Sequence, residues 1–111
     1  MGGAYSAALA AEGVRASFGI TGAWADKYPD AVRRMAADGH HVMNHSYSHR
    51  SFTGASAPDP LLTTAARQAD LAKAEATLSA LSGGSTKPFW RPPYGDSNAG
   101  VLADVGAAGY A

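Results

Sequence analysis

The sequence has no cysteine, no long apolar run and no excess of charge of either sign. Without cysteine the chain forms no disulfide and offers no thiolate, so any metal must be bound by histidine, aspartate or glutamate. Nine basic residues balance nine acidic ones without clustering, which argues against nucleic acid and anionic membrane surfaces as partners. The N-terminal segment lacks the basic start and apolar stretch of a signal peptide, and no segment is apolar enough to span a membrane, so localisation is not predicted.

Helical and strand-like patterns alternate along the 111 residues, of which 46% are hydrophobic, enough for the core of one domain. In order, the patterns predict a helix over residues 5–12, a strand over 14–20, a helix over 29–39, a strand over 40–44, a helix over 60–82, a strand over 87–91 and a helix over 97–109. Asp59 as N-cap with Pro60 opens the third helix, and Asp96 or Ser97 caps the fourth, whose Leu102 we expect to face inward. Strands separated by helices predict a parallel sheet and an α/β architecture.

Both edges of the predicted sheet are left bare, because the chain opens on a helix and a further strand starts at Tyr110. A closed (β/α) barrel typically needs about 250 residues. We therefore expect a partial segment of such a barrel, with parallel strands and about three βα units.

Polar and aromatic stretches follow each predicted strand. They are TGAW over residues 21–24, NHSYSH over 44–49 and RPPYG over 91–95. The carboxyl ends of parallel strands lie at one edge of the sheet, where α/β enzymes build their active sites. The three stretches are therefore expected to converge on one site.

The histidine stretch places His45 and His49 four residues apart. On one helical turn they would face the same way and present two imidazole nitrogens to one Zn²⁺ at about 2.0–2.1 Å. Chance also produces this spacing among four histidines, so the pair alone leaves metal binding and coincidence both open. Ser46 stands where an HExxH metalloprotease has glutamate, which disfavours that chemistry. His40 and His41 belong to the opposite end of the strand and are expected to be structural.

The RPPYG stretch has two interpretations. Its prolines stiffen the backbone, so it is either a rigid surface turn or a support that fixes functional groups. In the second case Arg91 clamps a carboxylate and the backbone N–H of Tyr94 faces a developing oxyanion. Trp24, in the loop after the first strand, is the candidate for an exposed sugar-stacking platform, and Pro93 is expected to line the same cleft.

Three stretches in this order, ASFGITG, ADGHHVMNHSYSHRSFT and FWRPPYGDSNAGVLADVGAAGYA, resemble the polysaccharide deacetylases of carbohydrate esterase family 4, the NodB homology domain. The family's histidine motif, H-[S/T]-x-x-[H/S], is matched by HSYSH, and its arginine motif, R-x-P-Y, by RPPY. The resemblance covers essentially all of residues 1–111.

The resemblance implies a distorted (β/α) barrel that removes acetyl groups from N-acetylated sugars in chitin, peptidoglycan or similar polymers. It implies a divalent metal, most commonly Zn²⁺ with Co²⁺ as an alternative, bound by His45 and His49. By the same resemblance the Ser46 hydroxyl braces their loop, Arg91 orients a catalytic-base aspartate, and the N–H of Tyr94 helps to form an oxyanion hole. The expected partner is an acetylated polysaccharide or oligosaccharide.

Other family motifs have no match in this sequence. They are a T-F-D-D-type strand with the base and a metal-binding aspartate, a D-x-x-D-W-like stretch, and an L-x-H-like motif with the general acid. We therefore expect an internal part of the domain that lacks its first strand and its C-terminal portion, without a third metal ligand or base, and inactive by itself. A degenerate, non-catalytic carbohydrate-binding member and a plain α/β segment remain the alternatives. The family is often secreted or associated with the cell wall.

Overall fold

The computed structural model describes residues 16–111 of the chain. The helix predicted over residues 5–12 and the start of the first predicted strand lie outside the described residues. The elements are β1 (Ser17–Ile20), α1 (Gly22–Lys27), α2 (Pro29–Ala37), β2 (His41–Asn44), α3 (Thr64–Ser82), a 3-10 turn (Pro93–Gly95) and α4 (Ala99–Ala107). The two strands and the helices predicted over residues 29–39, 60–82 and 97–109 occur in the expected order, and the α/β class is confirmed.

The two strands pair in parallel, with Ser17 opposite His41 and Ile20 opposite Asn44. The strand predicted over residues 87–91 is reduced to a single parallel bridge between Asn44 and Trp90. Proline donates no backbone hydrogen bond, and prolines at 88, 92 and 93 leave little chain able to continue the ladder. The sheet is therefore short, but its three segments run in the predicted direction.

A helix, α1, occupies the region that the sequence suggested was a loop. The Thr21 hydroxyl accepts a hydrogen bond from the backbone N–H of Trp24 at 3.2 Å, so Thr21 is an N-cap and not a turn residue. The prediction for α2 is correct: Pro29 lies in its first turn, and Val32 and Met35 are buried.

The start predicted for α3 was wrong by four residues. The helix begins at Thr64, where the Thr63 hydroxyl accepts from the N–H of Ala66 at 3.1 Å. Asp59 cannot be the cap because its φ of 58° lies in the left-handed region. Leu61 belongs to the preceding loop, where its N–H donates to the carbonyl of Ser51 at 2.8 Å.

The cap predicted for α4 was also wrong. Asn98 caps this helix by accepting from the N–H of Val101 at 2.9 Å. Asp96 is not available as a cap because its carboxylate accepts hydrogen bonds from the hydroxyls of Ser51 and Ser56. Leu102, expected inside, is 55% exposed.

Two hydrophobic clusters form the core, and α3 contributes to both. The first contains Ile20, Ala25, Val32, Met35, Val42, Ala74 and Leu78, and the second contains Phe52, Leu61, Leu71, Trp90, Val101, Val105 and Tyr110. None of the helices in residues 16–111 combines the length and apolar character needed to cross a membrane.

A buried ion pair joins α3 to α4. Arg67 Nη1 lies 2.8 Å from Asp104 Oδ2, and both side chains are largely buried. The rest of the guanidinium donates to the carbonyls of Leu61 and Phe52, so the buried charge is well satisfied. The sequence pattern gave no indication of this pair.

Candidate metal centre

The segments that follow β1, β2 and the Trp90 bridge meet at one edge of the sheet. The N–H of His45 donates to the carbonyl of Ile20 at 3.2 Å, at the end of β1. The N–H of Arg91 donates to the carbonyl of Asn44 at 2.9 Å, at the end of β2. Backbone pairing therefore brings the histidine and arginine stretches side by side, as expected for parallel strands.

The imidazoles of His45 and His49 face each other with their Nε2 atoms 3.1 Å apart. Two ligands at 2.0–2.1 Å from one tetrahedral Zn²⁺ lie about 3.3 Å apart, so the observed separation fits a shared metal. The spacing of four does not arise from a helical turn. Residues 45–49 form a loop in which Ser46 and His49 have φ angles of 64° and 58°.

The Nδ1 atom of His45 lies 2.7 Å from the backbone carbonyl oxygen of Arg91. A carbonyl oxygen only accepts, so Nδ1 carries a proton, and in the neutral imidazole Nε2 then keeps its lone pair. Burial lowers the pKa of His45, the hydrogen bond to the Arg91 carbonyl opposes this, and the nearby charges of His49 and Arg91 lower the pKa further. The net effect favours the neutral imidazole, the form that binds metals.

Ser46, between the two histidines in the chain, is fully buried. Its hydroxyl accepts a hydrogen bond from the backbone N–H of His49 at 3.0 Å, and its own N–H donates to Asn44 Oδ1 at 2.8 Å. Asn44 is held in turn, because its Nδ2 donates to the carbonyl of Leu71 and to the hydroxyl of Tyr110, each at 3.0 Å. The histidine loop thus rests on a buried polar network.

The side chain of Arg91 is exposed and lies across β1. A Cβ atom added to Gly19 would come within 3.3 Å of Arg91 Cδ and 3.7 Å of His45 Cβ, so the absence of a side chain at Gly19 makes room for both. Among the ion pairs of residues 16–111, none includes Arg91. The guanidinium therefore has no carboxylate partner within that part of the chain.

Tyr94 lies in the 3-10 turn next to the histidines, and its ring centroid is 4.6 Å from that of His49. Its φ of 61° is unusual for an aromatic residue and indicates local strain. Within residues 16–111 no protein group accepts a hydrogen bond from its backbone N–H. Pro93, which precedes it and was expected to line the cleft, is buried.

Trp24 is not in a loop and is not an exposed platform. It lies on α1, half-buried against the first core cluster, with its ring 5.1 Å from that of Tyr28. Among the ring–ring contacts of residues 16–111, none joins Trp24 to His45 or His49.

Two supporting residues were missed by the sequence reasoning, Asn44 and Asp70. Asp70 Oδ2 on α3 accepts hydrogen bonds from the backbone N–H groups of Tyr47 at 2.9 Å and Ser48 at 3.3 Å. These contacts join residues more than twenty positions apart in the sequence, and no local sequence pattern predicts them. Residues 16–111 contain no group of three histidine, aspartate or glutamate side chains arranged to hold a metal.

Residues 4–111 match the family described as polysaccharide deacetylase. The chain is 34% identical over 102 residues to a chitin deacetylase of Colletotrichum lindemuthianum, covering 87% of this chain and 38% of that protein. It is 35% identical over 83 residues to a peptidoglycan-N-acetylglucosamine deacetylase of Bacillus cereus, covering 75% and 27%. A family 4 carbohydrate esterase from Streptomyces lividans superposes with a TM-score of 0.81 at 29% identity, over 99% of this chain and 54% of that one. The chain thus spans well under half the length of these two curated relatives.

Proposed function

Because the chain belongs to the polysaccharide deacetylase family, we propose that the protein hydrolyses the acetamide C–N bond of N-acetylated sugars in chitin-like or peptidoglycan-like polymers. His45 and His49 supply two ligands to a divalent metal, Zn²⁺ or Co²⁺. The observation that carries this proposal is the pair of Nε2 atoms 3.1 Å apart, beside Arg91 and Tyr94.

Imidazole nitrogens suit zinc and cobalt, and the orientation of His45 by a carbonyl is typical of metal-binding histidines. When bound, the metal polarises the acetamide carbonyl and lowers the pKa of a coordinated water. Catalytic zinc sites ordinarily have three protein ligands, and residues 16–111 provide two in this cluster. We therefore expect weak coordination and no turnover by these residues alone, and by family resemblance an aspartate as the third ligand.

Arg91 and Tyr94 supply the other two roles in the proposed reaction. Arg91 presents its carbonyl to His45 and leaves its guanidinium for a carboxylate, which by family resemblance is the catalytic base. The N–H of Tyr94, which has no acceptor in the described residues, is available to donate to the oxyanion that forms as the acetyl group is attacked. The strained turn fixes this donor before the substrate arrives.

A second candidate function is carbohydrate binding without catalysis. It is favoured by the unpaired guanidinium of Arg91 and by the absence of a third ligand within residues 16–111. In that case an acetylated oligosaccharide binds and acetate is not released.

Acetate release from acetylated chito-oligosaccharides and peptidoglycan glycans separates these functions. The full-length protein is assayed with Zn²⁺ or Co²⁺ and after chelation, beside His45→Ala and His49→Ala. His41→Gln, at the opposite end of β2, is the matched control. We expect metal-dependent release that both alanine variants lose and the control retains. Binding of the oligosaccharide with no acetate release under any condition would favour the second candidate.

A further inference from the structure

The loop that carries His45 and His49 has an unfavourable backbone. Ser46 and His49 both adopt positive φ angles, which residues with a side chain rarely do. Such a conformation persists only where surrounding contacts determine it. The position of the two imidazoles therefore depends on the groups that hold this loop.

Three sets of hydrogen bonds hold the loop backbone. In the first set, the Asn44 side chain accepts a hydrogen bond from the N–H of Ser46, and the Ser46 hydroxyl accepts one from the N–H of His49. The N-terminus of α1 donates to the carbonyls of Ser46 and Tyr47, at 2.9 and 3.0 Å. The third set comes from α3, where the Asp70 carboxylate accepts hydrogen bonds from the N–H groups of Tyr47 and Ser48.

Asp70 uses a single atom, Oδ2, for both of its hydrogen bonds. The two donors belong to residues that lie between the histidines, so the carboxylate holds the middle of the loop. The next residue on α3, Leu71, accepts from Asn44 at the end of β2. One short part of α3 therefore fixes both the start of the loop and its middle.

The helix is well placed to act as this support. Leu71, Ala74 and Leu78 are completely buried and anchor α3 in both core clusters. The Asp70 carboxylate accepts both backbone N–H bonds from this anchored position. Without Asp70 the half-buried N–H of Tyr47 would lack its partner, and the loop would be free to relax.

We propose that Asp70 is a positioning residue for the metal centre, holding the loop so that the Nε2 atoms of His45 and His49 keep the separation of two ligands on one metal. This inference rests on the proposed function, in which the histidines bind a divalent metal. It assigns a role in that function to α3, which bears no ligand in the histidine cluster.

Zn²⁺ affinity, measured on the full-length protein by competition with a chromophoric chelator, tests the proposal. Asp70→Ala is expected to weaken binding by about 10- to 100-fold, the range found when groups that orient metal ligands are removed. Asp70→Asn has the same shape and one carbonyl oxygen that can accept both N–H bonds, so it is expected to stay within about threefold of wild type.

Val105→Ala controls for lost stability, because Val105 lies on α4 in the second core cluster and takes no part in the three sets of hydrogen bonds that hold the loop. It is expected to destabilise the protein with Zn²⁺ affinity unchanged. Amide exchange at Tyr47 and Ser48 should accelerate in Asp70→Ala and not in Val105→Ala.

Wild-type affinity in Asp70→Ala would overturn the positioning role, and so would an equal loss in Val105→Ala. Equal weakening by Asp70→Asn and Asp70→Ala would show that charge, not hydrogen bonding, matters, and would also overturn it. If the protein bound Zn²⁺ through both histidines but released no acetate, the proposed catalysis would be refuted. The positioning role of Asp70 would still be tested by the Zn²⁺ affinities of its variants. No Zn²⁺ binding by wild type would overturn both.

Discussion

The imidazole of His45 and the backbone carbonyl of Arg91 are joined by a 2.7 Å contact between residues 46 positions apart in the chain. The contact ties the histidine stretch to the arginine stretch through the main chain, and it orients the ring through Nδ1. Arg91 therefore has two separable roles, one for its carbonyl and one for its guanidinium.

Replacing the Arg91 side chain should separate these roles. In Arg91→Ala the carbonyl remains, so we expect Zn²⁺ affinity within about threefold of wild type, because the hydrogen bond that orients the ligand is intact. Loss of the guanidinium should lower kcat by about 10²-fold, the low end of what a well-placed general base contributes. Chelator competition and acetate release measure the two quantities. A parallel loss of metal affinity would contradict the division of roles.

Tyr94 is expected to act mainly through its backbone. Asparagine tolerates a φ near 61° and retains the N–H, so Tyr94→Asn should keep kcat within about tenfold of wild type. Loss of the ring that packs on His49 should appear instead as a raised KM. Steady-state kinetics on an acetylated oligosaccharide distinguish the two effects. If Tyr94→Asn abolished turnover, the side chain and not the N–H would be the essential group.

Gly22 at the start of α1 is required for packing beneath the histidine loop. A Cβ there would collide with the ring of Tyr47 and lie 3.1 Å from the Cα of Ala74. Gly22→Ala should therefore lower the free energy of unfolding by about 1–3 kcal/mol, as overpacked cores do. Gly106→Ala is the matched control, because its Cβ meets no atom within 4 Å and alanine favours the helix. Urea unfolding of the two variants should show opposite shifts.

The buried pair between Arg67 and Asp104 should make the protein sensitive to acid. The hydrogen bond from Arg67 holds the pKa of Asp104 below its ordinary value, with help from Thr64 and the charge of Arg67 and against the effect of desolvation. Its stabilisation is therefore complete above about pH 5 and is lost as the pH falls through the ordinary carboxyl pKa toward the lower folded value.

Asp104→Asn should accordingly be less stable than wild type at pH 7, with the difference shrinking as the pH falls below about 4. Urea unfolding at several pH values measures this. Asp30→Asn, which removes an exposed pair with Arg33, is the control and should change little at any pH. A constant difference between wild type and Asp104→Asn from pH 7 to pH 3 would argue against this assignment.

Local patterns were enough to predict the parallel order and the convergence of the strand ends. Alternating apolar residues and Pro29 mark β1 and α2, and the carboxyl ends of parallel strands must meet at one edge. The resemblance in the histidine and arginine stretches then identified the family correctly.

Features that depend on distant contacts were not predictable in this way. Thr21 and Gly22 suggest a turn until α1 is seen to pack against the rest of the chain. Pro60 is a good first residue for a helix, but its neighbour Leu61 packs in the second core cluster as part of a loop, and the helix begins only at Thr64. Asp70 reaches the loop across 23 positions, and nothing next to it in the sequence indicates that contact.

Metal binding by the two histidines is best tested by locating the metal in a crystal of the full-length protein grown with Zn²⁺, using anomalous scattering at the zinc edge. We predict one peak bonded to the Nε2 atoms of both His45 and His49, at about 2.0–2.1 Å from each, with Nδ1 of His45 still hydrogen-bonded to the Arg91 carbonyl. A peak elsewhere, or none between these two atoms at saturating Zn²⁺, would contradict this prediction.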